Sequence, residues 1–218
     1  MISFKSRKAI LWDNDGVLVD TEKYFFEAAR TVLEKAGITY TLNMYIDFVL
    51  TKATGPWHLL KERGVDNSTI NKMKKERDEL YIHLLKTKDI LIDGVEDVLQ
   101  IFSERYKMGI VTSSNPEYFY IIHSRTRLLK YFDFVITPDD YHHYKPHPEP
   151  YIIAWEKTSL AKDACVVIED SRRGLLSAIA AGLDCIVIPN ELTAHSDFKE
   201  AMLVLSKISE LLYLTDQK

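Results

Sequence analysis

Five short apolar segments, rich in β-branched residues and bounded by turn formers, constrain the fold of this 218-residue chain more than any other feature. They are "AILW" up to Asp13, "MGIVT" up to Thr112, "FDFVIT" up to Thr137, "CVVIE" up to Asp170 and "CIVIP" up to Pro189. Continuous apolar runs of this length are typical of strands that are buried on both faces. From the second run onward, helical patterns at 115–128, 148–158 and 172–181 separate them. This alternation predicts an α/β fold with a Rossmann-like parallel sheet of right-handed βαβ units.

A long segment between the first and second runs interrupts the alternation. It contains helical periodicity at 21–36, 42–50, 55–64 and 67–86, with glycines at 37, 55 and 64 as separators. A further helix, over 94–105, leads back into the sheet. We therefore predict a helical cap domain over residues 21–88, inserted into an α/β core domain of residues 1–20 and 89–218.

The composition excludes several classes of protein. With a net charge of −4 and a pI near 6.0, the chain lacks the basic surface of a protein that binds nucleic acid by neutralising phosphates. Cys165 and Cys185 both lie inside apolar runs, which favours buried thiols in a reducing compartment over a disulfide or a metal site. No stretch is apolar enough for a signal peptide or a membrane span. We expect a cytoplasmic monomer that binds neither nucleic acid nor membrane.

Acidic, hydroxyl and amino side chains follow the predicted strands. In a parallel sheet the carboxyl ends of the strands point to one edge, where ligands bind. The residues predicted at this edge are Asp13, Asp15, Thr112, Ser113, Lys145, Glu169 and Asp170. Crowded carboxylates are costly unless a cation offsets their charge, and oxygen ligands of this kind suit Mg²⁺. The lysine and the hydroxyls would bind the remaining oxygens of a phosphate group shared with the metal ion.

The spacing of the first two acids fits a division of labour in phosphoryl transfer. One aspartate can attack phosphorus and form an acyl phosphate, which splits the reaction into two easier steps. A second aspartate, two residues later, can protonate the leaving alcohol and then deprotonate the attacking water. The metal ion and the lysine neutralise charge on the phosphoryl oxygens. Asp13 and Asp15 have this spacing.

Four segments in order, "DNDGVLVDTE", "VTSSN", "KPHPEPY" and "VIEDSRRG", resemble the motifs of the haloacid dehalogenase-like (HAD) superfamily. The similarity runs from about residue 8 to 189, and the subgroup it resembles has a helical cap and includes phosphoglycolate-phosphatase-like and β-phosphoglucomutase-like proteins. The resemblance implies that Asp13 is the nucleophile, Asp15 the general acid and base, Thr112 the phosphate-binding hydroxyl and Lys145 the stabilising lysine. The Mg²⁺ ligands that it implies are Asp13, Asp170 and the backbone carbonyl of Asp15, with Glu169 nearby.

By this resemblance the chain is a phosphatase, a hydrolase that acts on a small phosphorylated metabolite through an aspartyl-phosphate intermediate. An aspartate at position 15 is typical of the phosphotransferases of the superfamily, whereas its dehalogenases generally lack it. The alternative is a β-phosphoglucomutase-like phosphomutase that acts on a sugar phosphate. Those mutases carry a histidine a few residues after the first motif, where this chain has Phe25, and this difference favours the phosphatase.

A loop of the cap carries substrate specificity in the resembled subgroup and corresponds here to "LTKATGPWHLL" at 50–60. This loop departs from the usual pattern of small residues, because Leu50 stands where a glycine is common. The candidate substrate contacts are Thr51, Lys52, Thr54 and His58. Ordinary loop and helix-start residues would give the same pattern.

Other interpretations of these segments stay open. The Asp15–Gly16 pair is also typical of a hairpin turn. A response-regulator receiver domain likewise places acids, a threonine and a Lys-Pro pair around Mg²⁺, although the long helical insert argues against it. A catalytically silent binding protein on the same scaffold is a further alternative, which the intact set of motif residues disfavours.

The remaining polar clusters are expected to be surface features. His142, His143 and His147 suggest a zinc site, but they lie in one loop without a second ligand cluster at zinc-like spacing, so we favour exposed or substrate-adjacent histidines. Arg172 and Arg173 begin the helix after the fourth motif; they could pair with nearby carboxylates, and we favour a solvated helix face.

Overall fold

In a computed structural model that describes residues 4–215, the chain forms a six-stranded parallel sheet with accompanying helices. The strands are β1 (Ala9–Trp12), β2 (Lys107–Val111), β3 (Phe134–Ile136), β4 (Cys165–Glu169), β5 (Asp184–Val187) and β6 (Leu203–Val204). Their order across the sheet is β3-β2-β1-β4-β5-β6, and every neighbouring pair is parallel. The predicted α/β fold with a Rossmann-like parallel sheet is confirmed.

The α-helices alternate with the strands from β2 to β5 and follow one another between β1 and β2. The α-helices are α1 (Glu22–Lys35), α2 (Leu42–Tyr45), α3 (His58–Glu62), α4 (Asn67–Thr87), α5 (Val95–Ser103), α6 (Pro116–Thr126), α7 (Glu149–Thr158) and α8 (Arg172–Ala180). A π-helical turn, Ile46–Thr51, continues α2. Short 3₁₀ turns lie at Leu128–Tyr131, Pro138–Asp140, Lys162–Ala164 and Ile208–Leu214.

Strand β1 occupies the centre of the sheet and pairs along its full length with β2 on one side and β4 on the other. Its last residue, Trp12, lies level with Ile110 of β2 and Ile168 of β4. Residues that follow these three strands therefore emerge at the same edge. The strand order reverses direction between β1 and β4, and in open α/β sheets the crevice at such a point is where ligands bind.

Both faces of the central strands are covered. Leu11 of β1 lies in a hydrophobic cluster with Tyr151 of α7 and Leu175 of α8. The next residue, Trp12, packs instead against Phe102 of α5, with ring centroids 6.0 Å apart. Because successive side chains of a strand point to opposite faces, burial on both sides explains the continuous apolar runs of the sequence.

The chain divides into two compact units, a helical unit of residues 21–90 and an α/β unit made of the segments before and after it. In the helical unit α1 packs against α4, and Phe25 lies edge-on to Tyr81 with ring centroids 5.0 Å apart. The buried residues of α1 are Ala28, Ala29, Val32 and Leu33. The unit ends at residue 90, whereas the sequence predicts 88, and its role as a cap remains a prediction.

The segments that flank the insertion meet each other within the α/β unit. Val19 and Leu91 form an isolated antiparallel bridge. Beside it, the backbone N–H of Ile92 donates to the carbonyl of Leu18 at 3.4 Å. The chain therefore leaves the α/β unit and returns to it at neighbouring points.

Some predicted elements differ from the structure. The second half of the helix predicted over 42–50 is wrong as an α-helix, because α2 ends at Tyr45 and a π-helical turn follows it. The helix predicted over 55–64 is limited to His58–Glu62. Strand β6 is missing from the prediction, since two residues are too few to give a periodic pattern.

Two expectations from composition can be compared with the coordinates. Cys165 and Cys185 are both buried and free, as predicted. Within residues 4–215, none of the helices has the length and apolar character needed to cross a membrane.

Candidate active site

The candidate site is built where the three central strands end. Asp13 follows β1, and its backbone N–H donates to the carbonyl of Ile168 in β4 at 2.9 Å, which extends the pairing by one residue. Thr112 follows β2, and its N–H extends the pairing with β3 in the same way. Glu169 is the last residue of β4, and Asp170 comes directly after it. Backbone hydrogen bonds therefore fix the positions from which these side chains start.

Three of the predicted acids lie close together. One carboxylate oxygen from each of Asp13, Glu169 and Asp170 lies within 4.8 Å of the other two. The three residues are buried, with exposed fractions of 8%, 0% and 5% respectively. Like charges at this separation destabilise one another unless positive charge lies among them.

Lys145 supplies one positive charge to this cluster. Its Nζ donates to Asp13 Oδ1 at 2.6 Å and to Glu169 Oε1 at 2.8 Å. It also donates to the backbone carbonyl of Val111 at 2.9 Å and lies 3.1 Å from the hydroxyl of Tyr151. Burial alone would lower the pKa of Lys145, but the two carboxylates raise it above its ordinary value. The buried lysine is therefore charged.

One lysine does not offset the charge of the three acids. Burial, followed by the charge of Glu169, raises the pKa of Asp13 to about 7 against the opposing influence of Lys145. A divalent cation beside Asp13 and Asp170 would favour the ionised carboxylate. A donor set made only of oxygen atoms is the set that Mg²⁺ prefers. The residues present therefore fit such an ion.

Glu169 is held on both of its carboxylate oxygens. Its Oε1 accepts from Lys145, and its Oε2 accepts from the N–H of Asp170 at 3.2 Å and the hydroxyl of Ser171 at 3.1 Å. Ser171 also caps α8, because its Oγ accepts the N–H of Gly174 at 3.1 Å. A Cβ at position 174 would overlap the carboxylate of Glu169. The first turn of α8 therefore fixes Glu169 as the counter-ion of the buried lysine.

Asp170 is positioned by two loops. Asn190, which follows β5, donates from Nδ2 to Asp170 Oδ2 at 2.7 Å. Gly16 has a φ of +87°, a conformation that favours glycine, and a Cβ there would overlap the Asp170 carboxylate. The Asp15–Gly16 turn follows a strand whose two neighbours are parallel, so the interpretation as a hairpin turn is wrong.

Asp15 and the predicted hydroxyls lie beside one another. Asp15 is half-buried, and its Oδ2 lies 3.5 Å from the hydroxyl of Thr112. Thr112 Oγ1 also accepts the N–H of Ser114 at 3.0 Å, while Ser113 between them is half-buried. The side chain of Asp15 lies outside the cluster of three acids. A role in metal binding would therefore fall to its backbone carbonyl.

Several residues of the site were not identified from the sequence. They are Asn14, His123, Tyr151, Arg173 and Asn190. Tyr151 closes the segment "KPHPEPY", so a signal for it is available in the third motif. Asn14 and Arg173 likewise lie inside the first and fourth motifs, whereas His123 and Asn190 lie outside the motifs and reach the site only through the fold.

The interpretation as a solvated helix face is wrong for Arg173, and Arg172 forms the carboxylate pair that was the alternative. Arg172 forms an ion pair with Glu200, with Nη1 2.8 Å from Oε2. Arg173 donates from Nε and Nη2 to the backbone carbonyl of Lys145, at 3.2 and 2.8 Å. Arg173 therefore holds the main chain of the residue whose ammonium group lies among the acids.

Asn14, which lies between Asp13 and Asp15 in the sequence, forms a buried polar contact with His123. Asn14 is completely buried, and its Oδ1 lies 2.8 Å from Nε2 of His123 in α6. Burial lowers the pKa of His123 to about 4. The imidazole is therefore neutral at neutral pH.

The candidate substrate residues lie between the end of the π-helical turn and the start of α3 in the helical unit, and three of them contact Phe48. Lys52 Nζ lies 5.8 Å from the Phe48 ring centroid, and the His58 ring packs edge-on at 4.6 Å. The hydroxyl of Thr54 donates to the Phe48 carbonyl at 3.3 Å, and Thr51 is exposed. That these residues contact a substrate remains a prediction.

His143, His147 and Glu149 form a second group whose atoms could hold a metal ion. His143 Nδ1 lies 2.7 Å from Glu149 Oε2, and His147 Nδ1 accepts the N–H of Glu149 at 3.2 Å. Both histidines are exposed, in keeping with the interpretation from the sequence. These hydrogen bonds connect the loop on both sides of Lys145 to the first turn of α7.

Comparisons with known proteins agree with the geometry. A family model described as haloacid dehalogenase-like hydrolase matches residues 10–188 of the chain. A phosphorylated carbohydrates phosphatase from Thermotoga maritima is 32% identical over 184 residues, which cover 82% of this chain and 83% of that relative. A fructose-1-phosphate phosphatase from Escherichia coli is 26% identical over 188 residues, which cover 81% of this chain and 94% of that relative.

A solved structure shows the same fold. CbbY from Rhodobacter sphaeroides, determined in complex with phosphate, matches the full length of both chains with a TM-score of 0.80 and 24% sequence identity. The segment matched by the family model contains every candidate residue from Asp13 to Asp170.

Proposed function

The chain belongs to the haloacid dehalogenase-like hydrolases, and from this membership we propose that it is a Mg²⁺-dependent phosphatase of a small phosphorylated metabolite. The names of the two relatives, one a phosphatase of phosphorylated carbohydrates and one of fructose 1-phosphate, support a sugar phosphate as the substrate class. We assign the activity to a cytoplasmic monomer. The reaction proceeds through an aspartyl phosphate.

The observation that carries this proposal is the buried contact of Lys145 with Asp13. A nucleophilic carboxylate has to be ionised and fixed in orientation before it meets phosphorus. Lys145 Nζ binds Asp13 Oδ1 at 2.6 Å, and Glu169 keeps the ammonium group in place from the other side. We therefore assign Asp13 Oδ2 as the attacking atom.

The two aspartates perform the bond changes. In the first step Asp13 Oδ2 attacks phosphorus, the bond between phosphorus and the alcohol oxygen breaks, and Asp15 gives a proton to that oxygen. In the second step Asp15 takes a proton from water as the water oxygen attacks phosphorus. The bond to Asp13 then breaks and inorganic phosphate leaves. Lys145 and the hydroxyls of Thr112 and Ser113 bind the phosphoryl oxygens in both steps.

The side chains of Asp13 and Asp170 and the backbone carbonyl of Asp15 would hold Mg²⁺. Glu169 lies within the acid cluster, but both of its oxygens already accept hydrogen bonds from protein groups. We therefore assign Glu169 to the support of Lys145. When bound, Mg²⁺ supplies positive charge that stabilises the phosphoryl oxygens as negative charge develops on them.

The test is a panel of sugar phosphates, phosphoglycolate and p-nitrophenyl phosphate, assayed for release of inorganic phosphate with Mg²⁺ or with EDTA. We expect turnover with Mg²⁺, its loss in EDTA, and a decrease of at least about a thousandfold in Asp13→Asn. Asp97→Asn, an exposed change on α5, serves as the matched control and should retain activity. Turnover that survives Asp13→Asn would remove the assigned nucleophile.

Metal binding is measured separately from turnover. Added Mg²⁺ should raise the melting temperature of the wild-type protein in proportion to the logarithm of its concentration, because it binds the native state. Asp170→Asn should abolish this rise. A rise that is unchanged in Asp170→Asn would contradict the assignment of that ligand.

A phosphomutase is the alternative outcome of the same panel, recognised by conversion of one sugar phosphate into its isomer with little free phosphate. Phe25 supports hydrolysis instead. Its ring packs against Tyr81, and the guanidinium of Arg77 lies 4.4 Å from its centroid. Position 25 therefore offers no group that can exchange a proton with a sugar hydroxyl.

A further inference from the structure

Asn14 and His123 have no role in the proposed mechanism, yet Asn14 contacts the general acid Asp15 and His123 contacts Asn14. Asn14 separates the nucleophile from the general acid in the sequence and is completely buried. Its Nδ2 donates to Asp15 Oδ2 at 3.1 Å, and its Oδ1 lies 2.8 Å from His123 Nε2. The second ring nitrogen of His123, Nδ1, lies 3.1 Å from the hydroxyl of Thr126.

When Asp15 is ionised and the imidazole is neutral, only one arrangement of protons gives each of these contacts a donor and an acceptor. The oxygen of the ionised Asp15 accepts, so the Asn14 atom that faces it is the amide nitrogen. The amide oxygen then faces His123, whose Nε2 donates to it. His123 Nδ1 is left as an acceptor and receives the hydroxyl proton of Thr126. The hydrogen bonds thus run in one direction from α6 to the carboxylate.

We propose that His123, acting through Asn14, is a positioning residue that fixes the Asp15 carboxylate for proton transfer to the leaving alcohol. The inference rests on the proposed phosphatase function and adds a requirement to it. The hydrogen bond from Asn14 to Asp15 Oδ2, at 3.1 Å, is shorter than the 3.5 Å contact of the same oxygen with the Thr112 hydroxyl. The amide N–H restrains the carboxylate at its Oδ2 atom.

His123 determines which end of the Asn14 side-chain amide faces Asp15. Without it, the Asn14 side chain could turn over and present its oxygen to Asp15, where two acceptors would repel each other. His123 is itself held, since it is 3% exposed and its ring packs against Phe119 with centroids 4.4 Å apart. The effect of a change at position 123 should therefore appear in the proton transfer to the leaving group.

The experiment compares two phosphate esters whose leaving groups differ in their need for protonation by a general acid. p-Nitrophenolate leaves readily without a proton, whereas a primary alkoxide requires one. We would measure kcat/KM for p-nitrophenyl phosphate and for the fastest primary-alcohol phosphate of the panel. The variants are His123→Phe, His123→Gln, Asn14→Leu and the double variant Asn14→Leu/His123→Phe, with the exposed His195→Phe as matched control.

We expect His123→Phe and Asn14→Leu each to lower kcat/KM for the alkyl ester by about 10- to 100-fold. The decrease for p-nitrophenyl phosphate should stay within about threefold, and His195→Phe should change neither value. His123→Gln, whose amide can still donate, should recover most of the alkyl ester activity. The double variant should be no worse than Asn14→Leu, because both changes remove the same contact.

Equal losses on the two esters, or additive losses in the double variant, would overturn the positioning role and leave the phosphatase function standing. Turnover by wild type that persists in Asp13→Asn would instead overturn the proposed function, and this inference with it. Far-ultraviolet circular dichroism identifies any variant that fails to fold. If His123→Phe is such a variant, the comparison of Asn14→Leu with wild type and His123→Gln decides the question.

Discussion

The α/β unit and the helical unit each hold a lysine 2.6 Å from an aspartate, in opposite surroundings. The side chain of Lys145 is 5% exposed beside Asp13, whereas that of Lys52 is 55% exposed beside Asp47. In water an ion pair gains little, because solvent screens it and the side chains lose freedom. In the interior neither charge can find water, so removal of one partner is costly. The two ion pairs therefore differ in what their loss costs the folded state although their distances are equal, and the difference comes from burial.

The largest expected effect is that of Lys145→Met. The change leaves Asp13 and Glu169 buried and adjacent without their positive charge, so the free energy of unfolding should fall by about 3–5 kcal/mol. Urea denaturation in EDTA measures this loss, and phosphatase assays should show activity at background. A decrease below about 1 kcal/mol would show that the pair contributes no more than one at the surface.

The next effect concerns pH and compares buried His123 with exposed His83 of the helical unit. Burial lowers the pKa of His123 to about 4 in the native state, against an ordinary value of 6.5. Below pH 6.5 the unfolded chain binds a proton that the native state does not bind. Stability from this residue is therefore present above pH 6.5 and is lost as the pH falls towards 4, by about 3 kcal/mol in total.

Urea denaturation at a series of pH values between 7 and 4 measures this dependence. His123→Gln should lose less stability than wild type over the same interval, whereas His83→Gln should follow the wild-type curve. Parallel curves for wild type and His123→Gln would contradict the assignment of a buried, neutral imidazole.

The smallest effect is expected for Lys52→Met, the counterpart of Lys145→Met. Its ion pair with Asp47 is exposed, so the free energy of unfolding should change by no more than about 0.5 kcal/mol. The same denaturation assay measures it. A change in KM for one sugar phosphate, with stability unaltered, would support the prediction that Lys52 contacts the substrate.

The sequence predicts the α/β unit better than the helical unit for a physical reason. Burial on two faces imposes apolar runs, and a charge placed directly after such a run is costly enough to indicate a function. Asp13 and Asp170 could be found in this way. The segment from Thr51 to His58 begins with four exposed residues and contains a single buried one, so its sequence obeys no comparable constraint. The π-helical turn before it has the same composition as an α-helix and could not be predicted.

Within the site, the sequence identifies residues that stand next to strands and misses those that arrive from elsewhere. Asn190 and His123 each contact a motif residue from a distant part of the chain, with sequence separations of 20 and 109 residues. Arg173 shows a further limit. Its place in the sequence predicts a surface arginine, yet its guanidinium donates a hydrogen bond to the backbone carbonyl of Lys145. Such contacts depend on how α6 and α8 pack and not on local pattern.

The bridge between Val19 and Leu91 has an evolutionary consequence. The two ends of the inserted segment lie side by side in the α/β unit. The segment can therefore be lengthened, shortened or exchanged at little cost in chain entropy, because the distance between its ends stays the same. The sheet and its acids could therefore stay constant in a lineage while the guest segment diversifies. This junction is where we would splice the corresponding helices of a relative to test whether they carry its selectivity.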